Sequence, residues 1–145
     1  MRKFCAFELN KTLFGIDVQK VVGVLQNKNY IRVPFSNKIV KGLTQHNGQI
    51  VTILDLRKRL NMPERENEMA RNFALVKTKD SNIVGLIIDE AKEIIEISSD
   101  TKVESNKNIK EIDTFFIYQT FKINDGLLII LDLDKIVDVK SEIIT

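Results

Sequence analysis

The stretch from residue 42 to residue 60, GLTQHNGQIVTILDLRKRL, holds a turn, a strand and a helix start in succession, and it constrains the fold more than any other part of the chain. Asn47-Gly48 is a tight-turn signal, because both residue types tolerate positive φ. Ile50, Val51, Thr52, Ile53 and Leu54 follow as a branched aliphatic run whose length reads as a buried strand. Asp55 stands where a helix N-cap is wanted, with a carboxylate able to accept from the free N–H groups of a first turn. Leu56 and Leu60 share one helical face, with Arg57, Lys58 and Arg59 facing water. Asn61 and Pro63 end the segment.

The second half repeats this plan. Asp125-Gly126 leads into Leu127, Leu128, Ile129, Ile130 and Leu131, and then Asp132, Leu133, Asp134, Lys135 and Ile136. Upstream, Phe14-Gly15-Ile16-Asp17 resembles Val84-Gly85-Leu86-Ile87. Two matches in the same order at similar offsets point to one supersecondary unit used twice.

At 145 residues the chain is of single-domain size, and 43% hydrophobic residues can fill a core rather than leave it disordered. A net charge of +2 calls for neither nucleic acid nor an anionic membrane. The single cysteine, Cys5, excludes an internal disulfide and a cysteine-built metal site. No apolar run reaches membrane-spanning length and no signal peptide is evident, so the expected location is the cytoplasm, without direct membrane insertion.

Taken in order, residues 3–9 and 13–16 read as strands joined by an Asn10-Lys11 turn. Asp17 can cap a short helix through Val18, Val21, Val22 and Leu25, whose spacing gives an apolar helical face. Residues 30–33 are extended ahead of Pro34, and Gly42 marks a bulge or a close backbone approach. Residues 61–71 read as a charged linker between two halves. Strands are expected at 73–77, 83–88, 94–97, 114–123 and 127–131, with a hairpin turn at 79–82, a polar flexible loop at 98–108 and a short amphipathic helix at 132–139. Many short strands and tight turns predict two small antiparallel β-barrels packed together.

The catalytic inventory is thin. His46 neighbours a turn and has no second histidine for a metal site. Asp17, Asp55, Asp89 and Asp132 could be imagined around a hard cation, but at least three of them precede helix-like segments and serve as caps. The Gly42 to Gly48 spacing lacks the Lys-Ser/Thr ending of a phosphate loop. Two basic clusters, at Arg57 to Arg59 and at Lys77 and Lys79, lack the interleaved aromatics that stack bases, so a nucleic-acid-binding barrel is the weaker rival to a protein-binding module.

Phe7-Glu8-Leu9, Phe14-Gly15-Ile16-Asp17, Val18 and Val21, Val33-Pro34, Gly42, Gly48-Gln49-Ile50, Leu54-Asp55-Leu56-Arg57 and, later, Val84-Gly85-Leu86-Ile87-Ile88-Asp89 and Leu131-Asp132-Leu133 form an ordered set. It resembles the CheW-like domain of bacterial chemotaxis over nearly the whole chain. The resemblance implies a mainly β fold with short helices: two SH3-like barrels on a shared hydrophobic interface, in one domain over residues 1–145. The first barrel is expected at about residues 14–70 and the second at about 71–135, with terminal segments crossing between them. It also implies a non-enzymatic adaptor, without cofactor or metal, that couples the tips of methyl-accepting chemoreceptors to the regulatory domain of the histidine kinase CheA at membrane-bound arrays. A related alternative is a scaffold for another two-component pathway.

Carried over position by position, the resemblance places Val21, Val24 and Gly42 on a kinase-facing surface. It places Asn47, Phe73, Gly85, Ala91 and Ile94 in a receptor-facing groove between the barrels. For Val21, Val24, Phe73 and Ile94 ordinary core packing is an equal reading, since periodicity does not separate a core face from an interface face. The chain also departs from the family pattern. The usual Asn-x-Arg-Gly is Gln45-His46-Asn47-Gly48, so a receptor-side arginine is lost. An acidic position is Gly23, and the second proline of Val-Pro-x-x-Pro is Asn37. The turn survives these changes; receptor pairing is what they put in question.

Overall fold

Asn10 and Lys11 both take positive φ, 52° and 65°, and fold β1 (Arg2–Leu9) back onto β2 (Thr12–Asp17). Asn47 and Gly48 do the same at 49° and 78°, setting β4 (Val40–His46) against β5 (Gln49–Leu54) with His46 opposite Gln49. These hairpins belong to a computed structural model that describes residues 1–34, 37–65, 72–124 and 126–139. Asp125 of the expected second turn, and residues 66–71 of the expected linker, lie outside the described residues. The remaining strands are β3 (Val21–Leu25), β6 (Asn72–Lys77), β7 (Ile83–Ile88), β8 (Glu90–Ile97), β9 (Val103–Glu104), β10 (Ile117–Ile123) and β11 (Gly126–Leu131), with short helices α1 (Leu56–Arg59) and α2 (Leu133–Val137).

They form two sheets. Sheet I runs β8-β1-β2-β11-β10-β9 and sheet II runs β3-β6-β7-β5-β4. Most neighbours are antiparallel, but each sheet has one parallel pair at its centre. In sheet I, β11 lies beside β2 with Ile130 opposite Gly15. In sheet II, β5 lies beside β7 with Ile53 opposite Gly85. The expected duplication is therefore visible as matching geometry. Asp55 and Asp132 cap α1 and α2 through the N–H groups of Lys58 (3.2 Å) and Lys135 (3.3 Å). Their backbone angles agree to within a degree, −82°/96° and −83°/97°.

The repeat is threaded out of register with the chain. In sheet II the order β3-β4-β5-α1-β6-β7 is continuous. In sheet I the same order is β8-β10-β11-α2 and then β1-β2, which come from the start of the chain. Strands β6 and β7, which division near residue 70 assigns to the second barrel, lie in sheet II with β3, β4 and β5. Local sequence gives hairpins but not which sheet a hairpin joins.

Continuous aliphatic runs arise because alternate residues serve two cores. Phe73 and Leu75 point into a cluster with Val51 and Ile53 that belongs to sheet II. Between them, Ala74 and Val76 face a core shared by both sheets, which also takes Phe7, Leu9, Phe14 and Ile16 from sheet I and Leu56, Leu60, Leu133 and Ile136 from the helices. Sheet I has its own cluster of Phe4, Ala6, Ile97, Phe121, Leu128 and Ile130. Phe4 and Phe121 lie on strands three places apart, yet their ring centroids are 6.1 Å apart, so the sheet curls around this cluster. Three cores in a row, one within each curled sheet and one between them, are the expected pair of small barrels.

Four local expectations are corrected. Asp17 does cap, accepting from Gln19 N at 3.0 Å, but it starts a 3-10 turn at Val18–Lys20 and the chain then extends into β3 rather than continuing as a helix. Val18, Val21, Val22 and Leu25 fit a helical period, but the β-branched valines prefer a pleated surface, and β6 supplies the backbone partners. Residues Thr114–Phe116 form a 3-10 turn before β10 begins. The polar stretch at 98–108 contains β9, paired with β10, and a 3-10 turn at Asn106–Asn108. Arg57 and Arg59 turn into the protein rather than toward water. Arg57 pairs with Asp89 at 2.8 Å, and Arg59 donates to the carbonyls of Lys135 (2.7 Å) and Asp138 (3.0 Å) across the ring of Phe116.

Candidate interaction surface

Residues 27–31 cross from the β3 edge of sheet II to its β4 edge. Asn27 N donates to Asn72 Oδ1 (3.1 Å), Thr44 Oγ1 donates to the Asn29 carbonyl (2.8 Å), and Ile31 and Leu43 exchange two backbone bonds of 2.7 and 2.8 Å. The Tyr30 ring meets Phe73 edge-on at 5.9 Å. Exposed aliphatic side chains stand at both edges of the sheet: Val22 and Val24 of β3 are each more than two-fifths exposed, and Ile31 of this strap and Ile50 of β5 are 72% exposed. A depression of about 620 Å³ lined by residues 27–31, 43–45 and Ile50 opens beside Ile31 and Ile50. Gly42 lies beneath the strap. A Cβ there would overlap the Ile31 carbonyl oxygen and come within 3.0 Å of the Tyr30 ring. A side chain at Gly42 therefore intrudes first on the chain's own strap. Val21 and Val24 both lie on β3, the former half-buried and the latter exposed.

The residues expected in a groove are divided between the sheets. Asn47 is exposed at the tip of the β4–β5 hairpin. Phe73 is fully buried, and Gly85 is buried beneath Ile53, whose Cδ1 would lie 2.6 Å from an added Cβ. Ala91 and Ile94 are on β8 of sheet I; Ala91 is half-buried against the shared core, and Ile94 is exposed beside a depression of about 720 Å³ that Leu13, Ile95 and Ile123 also line. Phe73 and Gly85 lie together within sheet II, where a Cβ on Gly85 would come 3.7 Å from Phe73 Cβ, and Ala91 and Ile94 share β8 of sheet I.

Register relates the two exposed valine and isoleucine positions. Ala6 faces Gly15 as Leu75 faces Gly85, so Cys5 corresponds to Ala74. Ile94 pairs with Cys5 and Val24 with Ala74, which makes Val24 and Ile94 equivalent positions on equivalent edge strands. Sequence comparison of the two halves does not reveal this, because β3 and β8 share no motif. It also misses two exposed aromatics, Phe115 of the 3-10 turn, beside Lys135, and Tyr118 of β10, beside Arg2.

His46 sits in the β4–β5 hairpin opposite Gln49. Burial, and then the nearby Asp17 carboxylate, push the Cys5 thiol above its ordinary range, away from a reactive thiolate. Among the described residues no group of three or more His, Cys, Asp or Glu could hold a metal ion, and no helix is long and apolar enough to cross a membrane.

The model of the family described as CheW-like domain matches residues 3–141. The chain belongs to the CheW-like domain family. Among curated CheW-like relatives, the chemotaxis protein CheW of Bacillus subtilis (strain 168) is 27% identical over 139 residues, covering 96% of this chain and 88% of that one. The chemotaxis protein CheW of Treponema pallidum (strain Nichols) is 25% identical over 139 residues, covering 93% and 81%. Among solved structures, the scaffolding protein TtCheW of Thermoanaerobacter tengcongensis superposes with a TM-score of 0.82 at 25% identity, covering 98% of this chain and 91% of that one. One departure from the CheW-like pattern has a local substitute. Asn37, at the second proline position, folds its own turn by accepting from Ile39 N through Oδ1 (2.9 Å) and from Val40 N through its carbonyl (3.1 Å). Gly23 follows a bulge in β3 and faces Leu75.

Proposed function

We propose that this chain is a non-enzymatic adaptor that couples chemoreceptors to the histidine kinase CheA, working in the cytoplasm at membrane-bound receptor arrays. The whole of residues 1–145 acts as one unit. The regulatory domain of the kinase docks on the strap end of sheet II, over Val24 and the flank of Val21, with Gly42 keeping the strap seated. A receptor hairpin tip lies against Ala91 and Ile94 of β8, while Asn47, Phe73 and Gly85 belong to sheet II and act on that contact through the sheet they hold. The observation that carries this reading is the pair of exposed valines, Val22 and Val24, on the edge strand β3, in a chain whose family relatives are named as chemotaxis and scaffolding proteins. A few central apolar side chains in such a patch supply most of the affinity of a protein interface. The nucleic-acid reading loses part of its support, since Arg57 and Arg59 of one of the two basic clusters are turned inward.

Titration calorimetry against the CheA regulatory domain from the same cell tests the proposal. Micromolar or tighter binding is expected. Val24→Glu, which adds a charge on an already exposed side chain, should weaken it by at least roughly tenfold without unfolding the protein. Absence of binding by the folded, unmodified chain would remove kinase coupling as its role.

A further inference from the structure

Asp89 is the residue at which the chain leaves sheet II, at the end of β7, and enters sheet I, at the start of β8. The polar groups of this residue bond to both sides of that boundary. Its carboxylate accepts from Arg57 Nη2 of α1 (2.8 Å), from Arg65 Nη2, and from the backbone N–H of Asn10 in the β1–β2 turn (2.8 Å). Its own N–H donates to the Glu8 carbonyl of β1 (3.0 Å), and its carbonyl accepts from Asn72 Nδ2 of β6 (2.8 Å). Two contacts thus go to sheet I and three to the side of sheet II. The ions involved are mostly covered, with side chains 14–23% exposed. Asn72 continues the chain of bonds to Asn27, at the foot of the strap. The other crossing, at Asp17, is built differently: its carboxylate takes the N–H of Gln19 two residues on, a contact within the turn itself.

The shared core holds the sheets together, but burial of apolar area has little direction and leaves relative rotation weakly specified. Directional, charge-assisted bonds in a covered site specify it. We propose that Asp89 is an orienting joint: it fixes the angle between the two sheets, and with it the separation of the Val24 surface on sheet II from the Ile94 surface on sheet I. The consequence for simultaneous partners rests on the adaptor reading above; the joint itself does not.

The test uses the full chain, isotopically labelled, with residual dipolar couplings measured for Asp89→Asn and Arg65→Gln beside the unmodified protein. In the unmodified protein both sheets should report one alignment. In either variant each sheet should keep its internal couplings while the two alignments diverge. A single unchanged alignment, with nothing altered but thermal stability, would overturn the joint. If Asp89→Asn does not fold, Arg65→Gln decides alone. In a second arm, a receptor fragment is titrated onto the protein already holding the kinase domain. Asp89→Asn should weaken that second step by roughly tenfold while leaving the kinase step unchanged; equal weakening of both steps would mean general destabilisation and overturn the positioning role. Failure of the unmodified chain to bind either partner would fall on the adaptor reading, and the alignment measurement would still decide the joint.

Discussion

At Gly42 the smallest possible addition has nowhere to go. Its Cβ would meet backbone, the carbonyl of Ile31, rather than a side chain that can swing away. Gly42→Ala should therefore cost about 1–3 kcal/mol, the usual price of overfilling a packed site, as read by urea denaturation. It should also move the Tyr30 ring resonances, since the strap must lift. A Gly42→Ala variant with unaltered stability and unaltered Tyr30 signals would show that the strap is not seated on this position. The same logic bears on variants meant to report on partner binding: a substitution at Gly42 disturbs its own surface before it can touch another molecule. Val24, whose side chain already stands in solvent, is the cleaner probe.

Elements differ in how plainly the sequence declares them. Turns and caps are local bargains between a side chain and its own backbone, so Asn10-Lys11, Asn47-Gly48, Asp55 and Asp132 could all be read directly. Residues 18–25 could not, because Val18, Val21, Val22 and Leu25 satisfy a helical period while the deciding partner, β6, is some fifty residues away in sequence. Arg57 and Arg59 were illegible for the same reason: helical periodicity turns them outward, and nothing nearby reveals Asp89 or the end of α2. Within the candidate surfaces, the close backbone approach at Gly42 could be read from the chain and Val24 entered only through the family resemblance, whereas the burial of Phe73 and Gly85 depends on the strands that cover them. The two-residue strand β9 carries its own prediction. Glu104 accepts from Asn108 Nδ2 (3.0 Å) and pairs with Lys122 Nζ (3.1 Å), and these contacts, Asn108 first, hold its carboxyl below the ordinary glutamate value of 4.5. A depressed folded value means that the contribution is full above that value and is lost as pH falls through the lower, folded one. Amide exchange in β9 should accelerate below about pH 4.5, beyond the intrinsic trend, and Glu104→Gln should show the faster exchange already at neutral pH. Exchange in β9 that is insensitive to both changes would remove this anchor.

Over the whole molecule, the repeat is displaced from the chain by one hairpin. Strands β1 and β2 complete sheet I as β6 and β7 complete sheet II, from the opposite end of the sequence. A circular permutant that begins at Val18 and joins residue 145 to Met1 through a flexible linker would make each sheet one continuous segment. It should fold to the same two sheets and refold faster, because the β2–β11 and β1–β8 pairings become less distant in sequence; stopped-flow refolding slower than that of the natural order would contradict this. The two outer strands related by that repeat also meet solvent very differently. Strand β8 carries Glu90, Lys92, Glu93 and Glu96 along its length, while β3 is Val-Val-Gly-Val-Leu with no charge at all. Charged edges resist pairing with other molecules and bare ones invite it. In a concentrated preparation without its partner, this protein should clump through β3 and leave β8 free. Light scattering that climbs with concentration, and is flattened by Val22→Lys but not by Ile94→Lys, is the expected result. Whatever normally covers β3 would then act as a preservative as well as a partner.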